Sequence, residues 1–490
     1  MAGSLNPDRS EWDVIVIGGG PAGETAAQYA TRFSGLDAVI VESELVGGEC
    51  PFWACVPSKA LLAPVHLLAT GRDLGGTRPL LADRHLDVDG VLNRRDAIVD
   101  HFDDGRQVER ALGWGLDVVR GRGRVTGEKT VTVDGRTLRA RQAVVVAAGS
   151  RPHTPEVPGL REARPWYSRD VTAVHEVPRR LLVLGGGVVA CEAATWLRAL
   201  GAVQITMVER STRLLTDQEP FAGTAVADSL RASGVDVRFG QTVTRVERPT
   251  INDSGVGRIH GGPVTVTLDS GATLRVDEVL VAAGRRPNNE VLGPGEGRPV
   301  DEHMTVEGMP WLYAVGDVSG ESYLTHIGKY QGRIAGEVIA ARAAGRSLDE
   351  APFNRHTDLV RRGAAAQVIF TDPTIGTSGL TEAGARRQGY DVETVEMDLS
   401  QLDGGRVLRD HYRGRTKLVI DRRTDVLLGA TFVGTEIAEL IHSATVAICA
   451  ATPISALWHA IGSFPTLSDM WSHLLESVDA QRMAASRPSP

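Results

Sequence analysis

The fold is decided by the stretch Asp13-Val14-Ile15-Val16-Ile17-Gly18-Gly19-Gly20-Pro21-Ala22-Gly23. Its first five residues are an apolar run rich in β-branched side chains, which predicts a buried parallel strand. A helix-like segment follows, with Pro21 suited to its first turn, and then a second apolar strand ends at Glu42. Glycines at positions 18, 20 and 23 let backbone N–H groups approach a pyrophosphate, and Glu42 is placed to accept from a ribose hydroxyl. The unit therefore predicts dinucleotide binding.

The same arrangement occurs a second time in the chain. A strand over 181–184 leads into Gly185-Gly186-Gly187, a helix-like segment follows, and the next strand ends at Glu209. The segments 147–152 (AAGSRP) and 282–287 (AAGRRP) also repeat, each after a strand-like run. Two copies of one pattern are a far stronger sign of nucleotide binding than one glycine loop.

A carboxylate at Glu209 would repel the 2′-phosphate of NADPH, so it favours NADH. Arg210 and Arg213 lie close by in the sequence. We interpret both as solvated surface charges. The alternative is that they soften the preference for NADH.

The remainder of the chain predicts further strands and a third domain. Residues 313–317 read as a strand that ends at Asp317. The composition changes after Arg346, and the C-terminal part of the chain predicts a separate α+β domain with strands at 368–371, 417–420 and 427–433 and a helix at 436–451. Residues 252–262 are rich in Gly and Asp and predict surface turns. The predicted fold class is α/β with this C-terminal α+β domain.

Composition excludes several classes of function. A chain of 490 residues fits about three domains of roughly 100–200 residues each. The net charge of −8 disfavours nucleic-acid binding, which needs a basic surface. No uncharged apolar run reaches the ~18 residues of a membrane span, and residues 1–11 show no secretory apolar region. Because only four cysteines are present, we expect a cytoplasmic protein without structural disulfides.

Two of the cysteines lie close together in Gly47-Gly48-Glu49-Cys50-Pro51-Phe52-Trp53-Ala54-Cys55-Val56-Pro57-Ser58-Lys59. No second Cys or His pair completes a metal site nearby, so we expect no metal. A helix that starts at Pro57-Ser58-Lys59 would lower the pKa of a thiol at its N-terminus and raise its reactivity. The pair is therefore interpreted as redox-active, whereas Cys191 and Cys449 are interpreted as small buried residues.

The two glycine loops, the cysteine pair and the repeated motifs together resemble the flavoprotein pyridine nucleotide–disulfide oxidoreductases. This family includes dihydrolipoamide dehydrogenase, glutathione reductase and mercuric reductase, and the resemblance covers almost the whole chain. It implies two Rossmann-like domains and a C-terminal dimerisation domain. The implied ranges are 1–155 with 286–350 for FAD, 156–285 for NAD(P) and 351–490 for dimerisation. It also implies a homodimer whose active site is shared between subunits and a small sulfur-containing substrate.

The resemblance also implies roles for individual residues. Cys50 would be the interchange thiol that meets substrate, and Cys55 the charge-transfer thiol against the flavin. Lys59 and Glu192 would form an ion pair near the flavin N5 and the nicotinamide, although Lys59 also reads as a helix surface charge. Asp317 would meet the ribityl and phosphate part of FAD. The implied cofactor-binding residues are Gly18, Gly20, Pro21, Ala22, Gly23, Glu42, Ser43, Gly48, Lys59, Ala148, Gly149, Gly185, Gly187, Glu209, Gly284, Gly316 and Asp317.

One position departs from the family. The C-terminal signature of the family is His-x-His-Pro-Thr-x-x-Glu, and the aligned stretch here is Gly462-Ser463-Phe464-Pro465-Thr466-Leu467-Ser468-Asp469. Phe464 replaces the histidine that handles protons for the interchange thiol of the partner subunit, and Asp469 replaces its supporting glutamate. The alternative is a misalignment in which His459 or His473 does this work.

A phenylalanine at this position changes the expected chemistry. A positioned acid/base is worth roughly 10²–10⁴ in rate, so thiol–disulfide exchange should be slow, and an apolar ring would raise the pKa of Cys50 by desolvation. The change resembles 2-ketopropyl coenzyme M oxidoreductase/carboxylase, which cleaves a thioether and traps a carbanion with CO₂. That enzyme has histidine at the position of Asp469, and its cysteine motif does not end in the Pro-Ser-Lys sequence that stands here at 57–59. Mercuric reductase is disfavoured, because no cysteine lies in 482–490 and no N-terminal metal-binding domain is seen.

The expected activity is an FAD-dependent NAD(P)H oxidoreductase in which electrons reach the Cys50–Cys55 disulfide and then a disulfide or related sulfur substrate. A carbon–sulfur-cleaving or carboxylating enzyme and a flavoprotein subunit of a larger complex are the alternatives.

Overall fold

The computed structural model describes residues 3–360 and 365–486. In these residues the strands are β1 (Glu11–Ile17), β2 (Ala38–Glu42), β3 (Asp117–Arg120), β4 (Gly123–Gly127), β5 (Thr130–Val133), β6 (Arg136–Val146), β7 (Ser150–Pro152), β8 (Arg180–Leu184), β9 (Gln204–Glu209), β10 (Asp236–Phe239), β11 (Val243–Glu247), β12 (Val264–Leu268), β13 (Thr273–Val276), β14 (Glu278–Val281), β15 (Arg285–Pro287), β16 (Thr305–Val306), β17 (Met309–Ala314), β18 (Ala366–Ile369), β19 (Thr374–Gly379), β20 (Val392–Asp398), β21 (Arg415–Asp421) and β22 (Val426–Gly434).

The helices of the same residues are α1 (Pro21–Thr31), α2 (Glu49–Phe52), α3 (Cys55–Asp73), α4 (Arg78–Leu81), α5 (Val88–Ile98), α6 (Gly105–Gly113), α7 (Ser168–Thr172), α8 (Val188–Ala199), α9 (Pro220–Ala232), α10 (Thr325–Ala343), α11 (Glu382–Arg387), α12 (Asp403–Leu408), α13 (Ile437–Cys449), α14 (Ile454–Leu457) and α15 (Met470–Ala485). The described residues divide into two compact units. The first comprises those within 1–57, 95–153 and 284–359, and the second those within 58–94, 154–283 and 360–490.

The first unit is built on an eight-stranded sheet. Its main path runs β16-β17-β6-β1-β2-β3, and β4 and β5 extend from β6. The strands from β17 to β3 are parallel. The register aligns Ile17 with Val41 and Val146, and Val146 with Ala314. Four strands therefore end at one edge of the sheet, which is where parallel α/β sheets bind ligands.

Helices α1 and α10 pack together against this sheet. Both present apolar residues to one buried core, including Ala26 and Ala30 from α1 and Ile334 and Val338 from α10. Glycine allows the close approach, because a Cβ at Gly332 would lie 2.3 Å from the carbonyl oxygen of Ala22. This packing fixes the start of α10 beside the edge where the strands end.

The second unit contains three sheets. A parallel sheet of order β10-β9-β8-β14 forms with α8 and α9 the second nucleotide-binding pattern. A three-stranded antiparallel sheet, β11-β12-β13, accompanies it. A five-stranded antiparallel sheet of order β18-β19-β22-β21-β20 packs against α13 and α15. This last sheet is the core of the C-terminal α+β domain.

Most elements agree with the sequence prediction, although their ends differ; β18, for example, covers 366–369 instead of 368–371. The predicted strand over 313–317 ends at Ala314, and Asp317 lies in a 3₁₀ turn over Gly316–Ser319. Helix α3 begins at Cys55 instead of Pro57, and α13 covers 437–449 instead of 436–451. The predicted ranges of the three domains stay predictions, and the range 351–490 includes residues outside those described.

By length and composition, one helix of the described chain is apolar enough to cross a membrane. It joins α2 and α3 over residues 49–73, and 33% of its most apolar part is buried. Because the core helices of soluble proteins pass the same test, this property is weak evidence for a membrane span.

Candidate active site and cofactor-binding sites

The first glycine loop lies at the edge where β1 ends. Gly18 has a φ of 103°, and a Cβ there would lie 2.3 Å from the carbonyl oxygen of Ala147. A Cβ at Gly23 would lie 2.0 Å from the oxygen of Gly18, so both positions require glycine. At Gly20 the nearest atom to such a Cβ is 4.0 Å away, which leaves an open cradle. No described side chain caps α1 at Gly20, so the N–H groups of its first turn are available to a phosphate.

Glu42 at the end of β2 supports this loop. Its Oε2 accepts the N–H of Gly19 at 2.7 Å and its Oε1 accepts the N–H of Glu44 at 2.7 Å. Burial raises the pKa of the Glu42 carboxyl. Because each carboxylate oxygen has a further lone pair, Glu42 can hold the loop and still accept from a ribose hydroxyl. Ser43 is exposed directly after it.

A second polar cluster forms where β17 ends. Asp317 Oδ2 accepts from the hydroxyl of Ser150 at 2.5 Å. Arg285 donates through Nε to that hydroxyl and through Nη2 to the Ser150 carbonyl, both at 2.7 Å. The N–H of Gly316 donates to Gln331 Oε1 at 2.9 Å. Burial raises the pKa of Asp317.

Ser150 and Arg285 were not among the predicted site residues, although both stand in the repeated segments 147–152 and 282–287. Pairing of β7 with β15 brings these segments together. Gly149 in the first segment has a φ of 68°, and Gly284 in the second has a φ of 107°. Both border open space. The repeat itself was the signal that would have identified this cluster.

The cysteine pair spans the junction of α2 and α3. Cys50 lies in α2, Cys55 is the first residue of α3, and both are half-buried. The Sγ of Cys55 lies 3.2 Å from the hydroxyl of Thr325 at the start of α10. The helix N-terminus stabilises negative charge on a thiolate at Cys55. Sequence reasoning missed Thr325, because 270 residues separate it from Cys55.

The loop before α2 contacts the first glycine loop. Gly48 has a φ of 65°, and a Cβ there would lie 2.8 Å from the Cα of Gly20. The N–H of Gly47 donates to the carbonyl of Gly19 at 2.7 Å. The cysteine segment is therefore held directly against the loop that would cradle the pyrophosphate.

In the second unit, Lys59 and Glu192 form an ion pair. Lys59 Nζ lies 3.0 and 2.9 Å from the two carboxylate oxygens. The Glu192 side chain is only 5% exposed, and it lies on α8, which follows the second glycine loop. Because a buried carboxylate needs a partner, the alternative interpretation of Lys59 as a solvated surface charge does not fit this contact.

The second glycine loop has the geometry of the first. Gly185 has a φ of 115°, and a Cβ there would lie 2.4 Å from the carbonyl oxygen of Ala282. Gly187 borders open space and no described side chain caps α8 there. Glu209 ends β9, and its Oε1 accepts the N–H of Ser211 at 2.7 Å. The residues expected to bind a nucleotide therefore lie at one edge of the four-stranded sheet.

The two arginines beside Glu209 differ in their hydrogen bonds and exposure. Arg213 donates to the carbonyl oxygens of Leu215 and Thr216 at 2.9 and 2.5 Å, so its guanidinium is engaged with the main chain. Arg210 is exposed.

The C-terminal signature lies in the second unit. The Phe464 residue is 70% exposed in the single chain, and its peptide bond to Pro465 is cis. The Thr466 hydroxyl donates to the carbonyl of Ser463 at 2.6 Å. Asp469 directly precedes α15, and its carboxylate lies 3.5 Å from His473 Nε2. The position at which the sequence predicts the loss of a proton-handling imidazole therefore carries an exposed phenyl ring, and the loss itself stays a prediction.

The other two cysteines differ in exposure. Cys191 is fully buried in α8, as expected, and burial raises the pKa of its thiol. The prediction that Cys449 is buried is wrong, because it is exposed at the end of α13. The buried positions of this helix include 444 and 447, and a residue two positions later lies about 200° away around the helix.

Within 3–360 and 365–486, no group of three or more His, Cys, Asp or Glu side chains is arranged to hold a metal ion. The cysteine pair therefore has no further ligands of this kind among the described residues.

Two family models match the chain. The model of the pyridine nucleotide-disulphide oxidoreductases matches residues 12–344. The model of their dimerisation domain matches residues 365–475. Together these matches cover both nucleotide-binding patterns and the five-stranded sheet.

Curated relatives cover nearly the full chain. A dihydrolipoyl dehydrogenase of Halobacterium salinarum is 30% identical over 93% of this chain and 94% of its own length. A mercuric reductase of Staphylococcus aureus is 29% identical over 94% of this chain and 81% of its own length. The solved structure of the flavoprotein disulfide reductase RclA of Escherichia coli is similar with a TM-score of 0.78 and 22% identity, over 96% of this chain and 100% of that one.

The glycine loops have the geometry for two nucleotide cofactors, and the matches extend over both units. The fold class and the family expected from the sequence are therefore confirmed. The chain belongs to the pyridine nucleotide-disulphide oxidoreductases, which are enzymes that use FAD and NAD(P)H.

Proposed function

We propose that this enzyme uses NADH to reduce a Cys50–Cys55 disulfide through FAD, and that the resulting dithiol acts on a disulfide or related sulfur substrate. The observation that carries the proposal is the placement of the two cysteine side chains. They lie at the N-terminal ends of consecutive helices, and the Cys55 thiol is 3.2 Å from Thr325. Their loop packs against the first glycine loop, where the cofactor would bind.

When bound, FAD supplies two-electron transfer between the nicotinamide and the cysteine pair. The first turn of α1 would hold its pyrophosphate, and Glu42 its ribose. The cluster of Ser150, Asp317 and Arg285 would hold the ribityl and phosphate part. In the second unit, Gly185 and Gly187 would hold NAD(P)H, with Glu209 at the adenosine ribose.

The cysteine chemistry balances in electrons and protons. Two electrons and one proton convert the disulfide into a thiol at Cys50 and a thiolate at Cys55. Once Cys50 has lost its proton, its thiolate attacks a substrate disulfide, forms a mixed disulfide and releases one substrate thiolate. Cys55 then attacks the sulfur of Cys50, which restores the original disulfide and releases the second substrate thiolate. The substrate thiolates take up protons as they leave.

With Phe464 in place of a histidine, no positioned base takes the proton from the Cys50 thiol. A phenyl ring neither accepts nor donates a proton, and such a base is worth roughly 10²–10⁴ in rate. The substrates that the Cys50–Cys55 dithiol prefers should therefore differ from those of a dihydrolipoyl dehydrogenase. Asp469 and His473 remain as a carboxylate–imidazole pair on the same part of the chain.

A second candidate function rests on the same phenylalanine. The Cys50 thiolate could attack the sulfur of a thioether next to a carbonyl group, so that the carbon–sulfur bond breaks and its electron pair stays on carbon as an enolate. The enolate then captures CO₂ or a proton, and Cys55 resolves the mixed disulfide. Exclusion of a proton donor at position 464 favours capture of CO₂, in the way that the resemblance to 2-ketopropyl coenzyme M oxidoreductase/carboxylase implies.

Two further features belong to the proposal. The dimerisation domain supports a homodimer in which Phe464 of one subunit faces the cysteines of the other. The small number of cysteines in a long chain supports a cytoplasmic location.

The deciding experiment is an anaerobic titration with NADH followed by absorbance, and then a substrate screen. Two-electron reduction should produce a long-wavelength band from a thiolate next to the flavin. The reduced enzyme is then mixed with lipoamide, glutathione disulfide and a β-ketothioether with and without CO₂. A purified protein that does not bind FAD contradicts the proposal. If the thioether reoxidises the enzyme and the two disulfides do not, the second candidate function is favoured.

A further inference from the structure

Phe370, which directly follows β18, contacts both members of the Lys59–Glu192 pair. Its backbone N–H donates to Glu192 Oε1 at 2.8 Å. The centroid of its ring lies 4.8 Å from Lys59 Nζ, which is within the ~6 Å range of a cation–π contact. One residue therefore holds the carboxylate through its main chain and the ammonium through its side chain.

The carbonyl group of Phe370 is held by His66. Its Nε2 lies 3.1 Å from the carbonyl oxygen of Phe370, and since a carbonyl has no proton to give, Nε2 must be the donor. Burial lowers the pKa of His66, so the neutral imidazole with a proton on Nε2 satisfies this contact. His66 follows Lys59 by seven residues on α3, which places both on one face of the helix.

The segment after Phe370 has a second anchor on α3. Arg409 donates through Nη1 to both carboxylate oxygens of Asp372 at 3.1 and 3.3 Å. Its Nε and Nη2 donate to the hydroxyl of Thr70 at 3.2 and 3.0 Å. Thr70 lies one helical turn after His66. Residues 370 to 372 are therefore fastened to one helix at two successive turns.

We propose that His66 is a positioning residue for flavin reduction, which acts by fixing the Phe370 main chain and through it the Lys59–Glu192 pair. The inference rests on the proposed function and on the location beside the flavin and the nicotinamide that the family resemblance implies for this pair. Without the hydrogen bond from His66, the main chain at Phe370 can rotate about its flanking bonds. Glu192 then loses a charge-assisted hydrogen bond, and Lys59 loses the surface that orients it.

The test compares His66→Leu with His66→Gln in the FAD-loaded enzyme. Flavin reduction by saturating NADH is followed anaerobically by stopped flow. His66→Leu, which cannot donate, should lower the limiting rate by about three- to tenfold, the value of one lost hydrogen bond, with the dissociation constant for NADH within about twofold. His66→Gln retains an N–H donor and should recover most of the rate. His411→Leu is the matched control, because His411 is exposed on the same unit and pairs with Asp73.

A double-mutant cycle separates positioning from general damage to the fold. If His66 acts through the ion pair, His66→Leu should have no further effect on the rate once Lys59→Met has removed the ammonium. Additive effects would overturn the proposal, as would a wild-type rate for His66→Leu or equal rates for the Leu and Gln variants.

A wild-type rate for Lys59→Met would instead contradict the proposed location of the pair. Should His66→Leu not retain FAD, His66→Met takes its place in the cycle. It also lacks a donor for the Phe370 carbonyl, so additive effects with Lys59→Met overturn the proposal and the absence of a further effect supports it.

Discussion

Asp469 pairs with His473, whose Nε2 lies 3.5 Å from the Asp469 carboxylate one turn along α15. A second carboxylate, Glu476, lies 3.6 Å from Nδ1 of the same imidazole. The Asp469 carboxylate, which we propose to replace the supporting glutamate of the family, therefore already has an imidazole partner. This contact bears on how a restored histidine at position 464 would behave.

Phe464→His should raise turnover of lipoamide or glutathione disulfide, because an imidazole can take the proton from the interchange thiol. We expect a gain of about tenfold, below the usual 10²–10⁴, since Asp469 is shared with His473 and is one methylene shorter than glutamate. His473→Ala in addition should raise turnover further by freeing Asp469. Steady-state kinetics with NADH measure both effects.

Phe33→His, at an exposed phenylalanine of the first unit, is the control and should change nothing. Rapid lipoamide turnover by the wild type would show that another group handles protons, with His459 the next residue to test.

Cys55→Ser should abolish the long-wavelength absorption band of the two-electron-reduced enzyme, because Cys55 is proposed to be the thiolate next to the flavin. Cys50→Ser should retain the band. The measurement is anaerobic titration with NADH in a spectrophotometer. Cys449→Ser tests an exposed cysteine outside the pair, and its spectrum should match the wild type. A band that survives Cys55→Ser would reverse the two assignments.

Gly48→Ala should greatly weaken FAD binding. A methyl group there would lie 2.8 Å from the Cα of Gly20 and would push the cysteine segment away from the first glycine loop. Gly345→Ala is the matched control, because Gly345 has a φ of 66°, against 65° at Gly48, with open space beside it. Both variants should carry a strain of about 1 kcal/mol. FAD content after purification and thermal unfolding distinguish them, and equal FAD content in both would contradict the close contact.

Glu209→Ser should narrow the preference for NADH over NADPH by about tenfold or more, because the repulsion of a 2′-phosphate by the carboxylate is removed. The comparison is of kcat/KM for flavin reduction with each nucleotide. Arg210→Gln should then reduce the activity with NADPH, since Arg210 is exposed next to Glu209 whereas Arg213 donates to main-chain carbonyls. A wild type that prefers NADPH would show that the arginines dominate.

The features that the sequence predicted well depend on neighbours in the chain. The runs that became β1 and β8 and the glycines after them are set by local sterics and hydrophobic pattern. Thr325 beside Cys55 and His66 beside Phe370 depend on pairs of residues separated by 270 and 304 positions. No local pattern encodes such distances. Cys449 was predicted wrongly because apolar composition was read without the direction of its side chain around α13.

The order of strands in the eight-stranded sheet has a consequence for synthesis on the ribosome. The sheet takes strands from residues 11–146 and then β16 and β17 from residues 305–314, whereas the four-stranded sheet is complete at residue 281. Because domains form as the chain emerges, the sheet whose synthesis begins first is completed second. Until Asp317 has left the exit tunnel, the hydroxyl of Ser150 cannot donate its hydrogen bond to the Asp317 carboxylate. Nascent chains cut at residue 283 should therefore form the later sheet and fail to retain FAD.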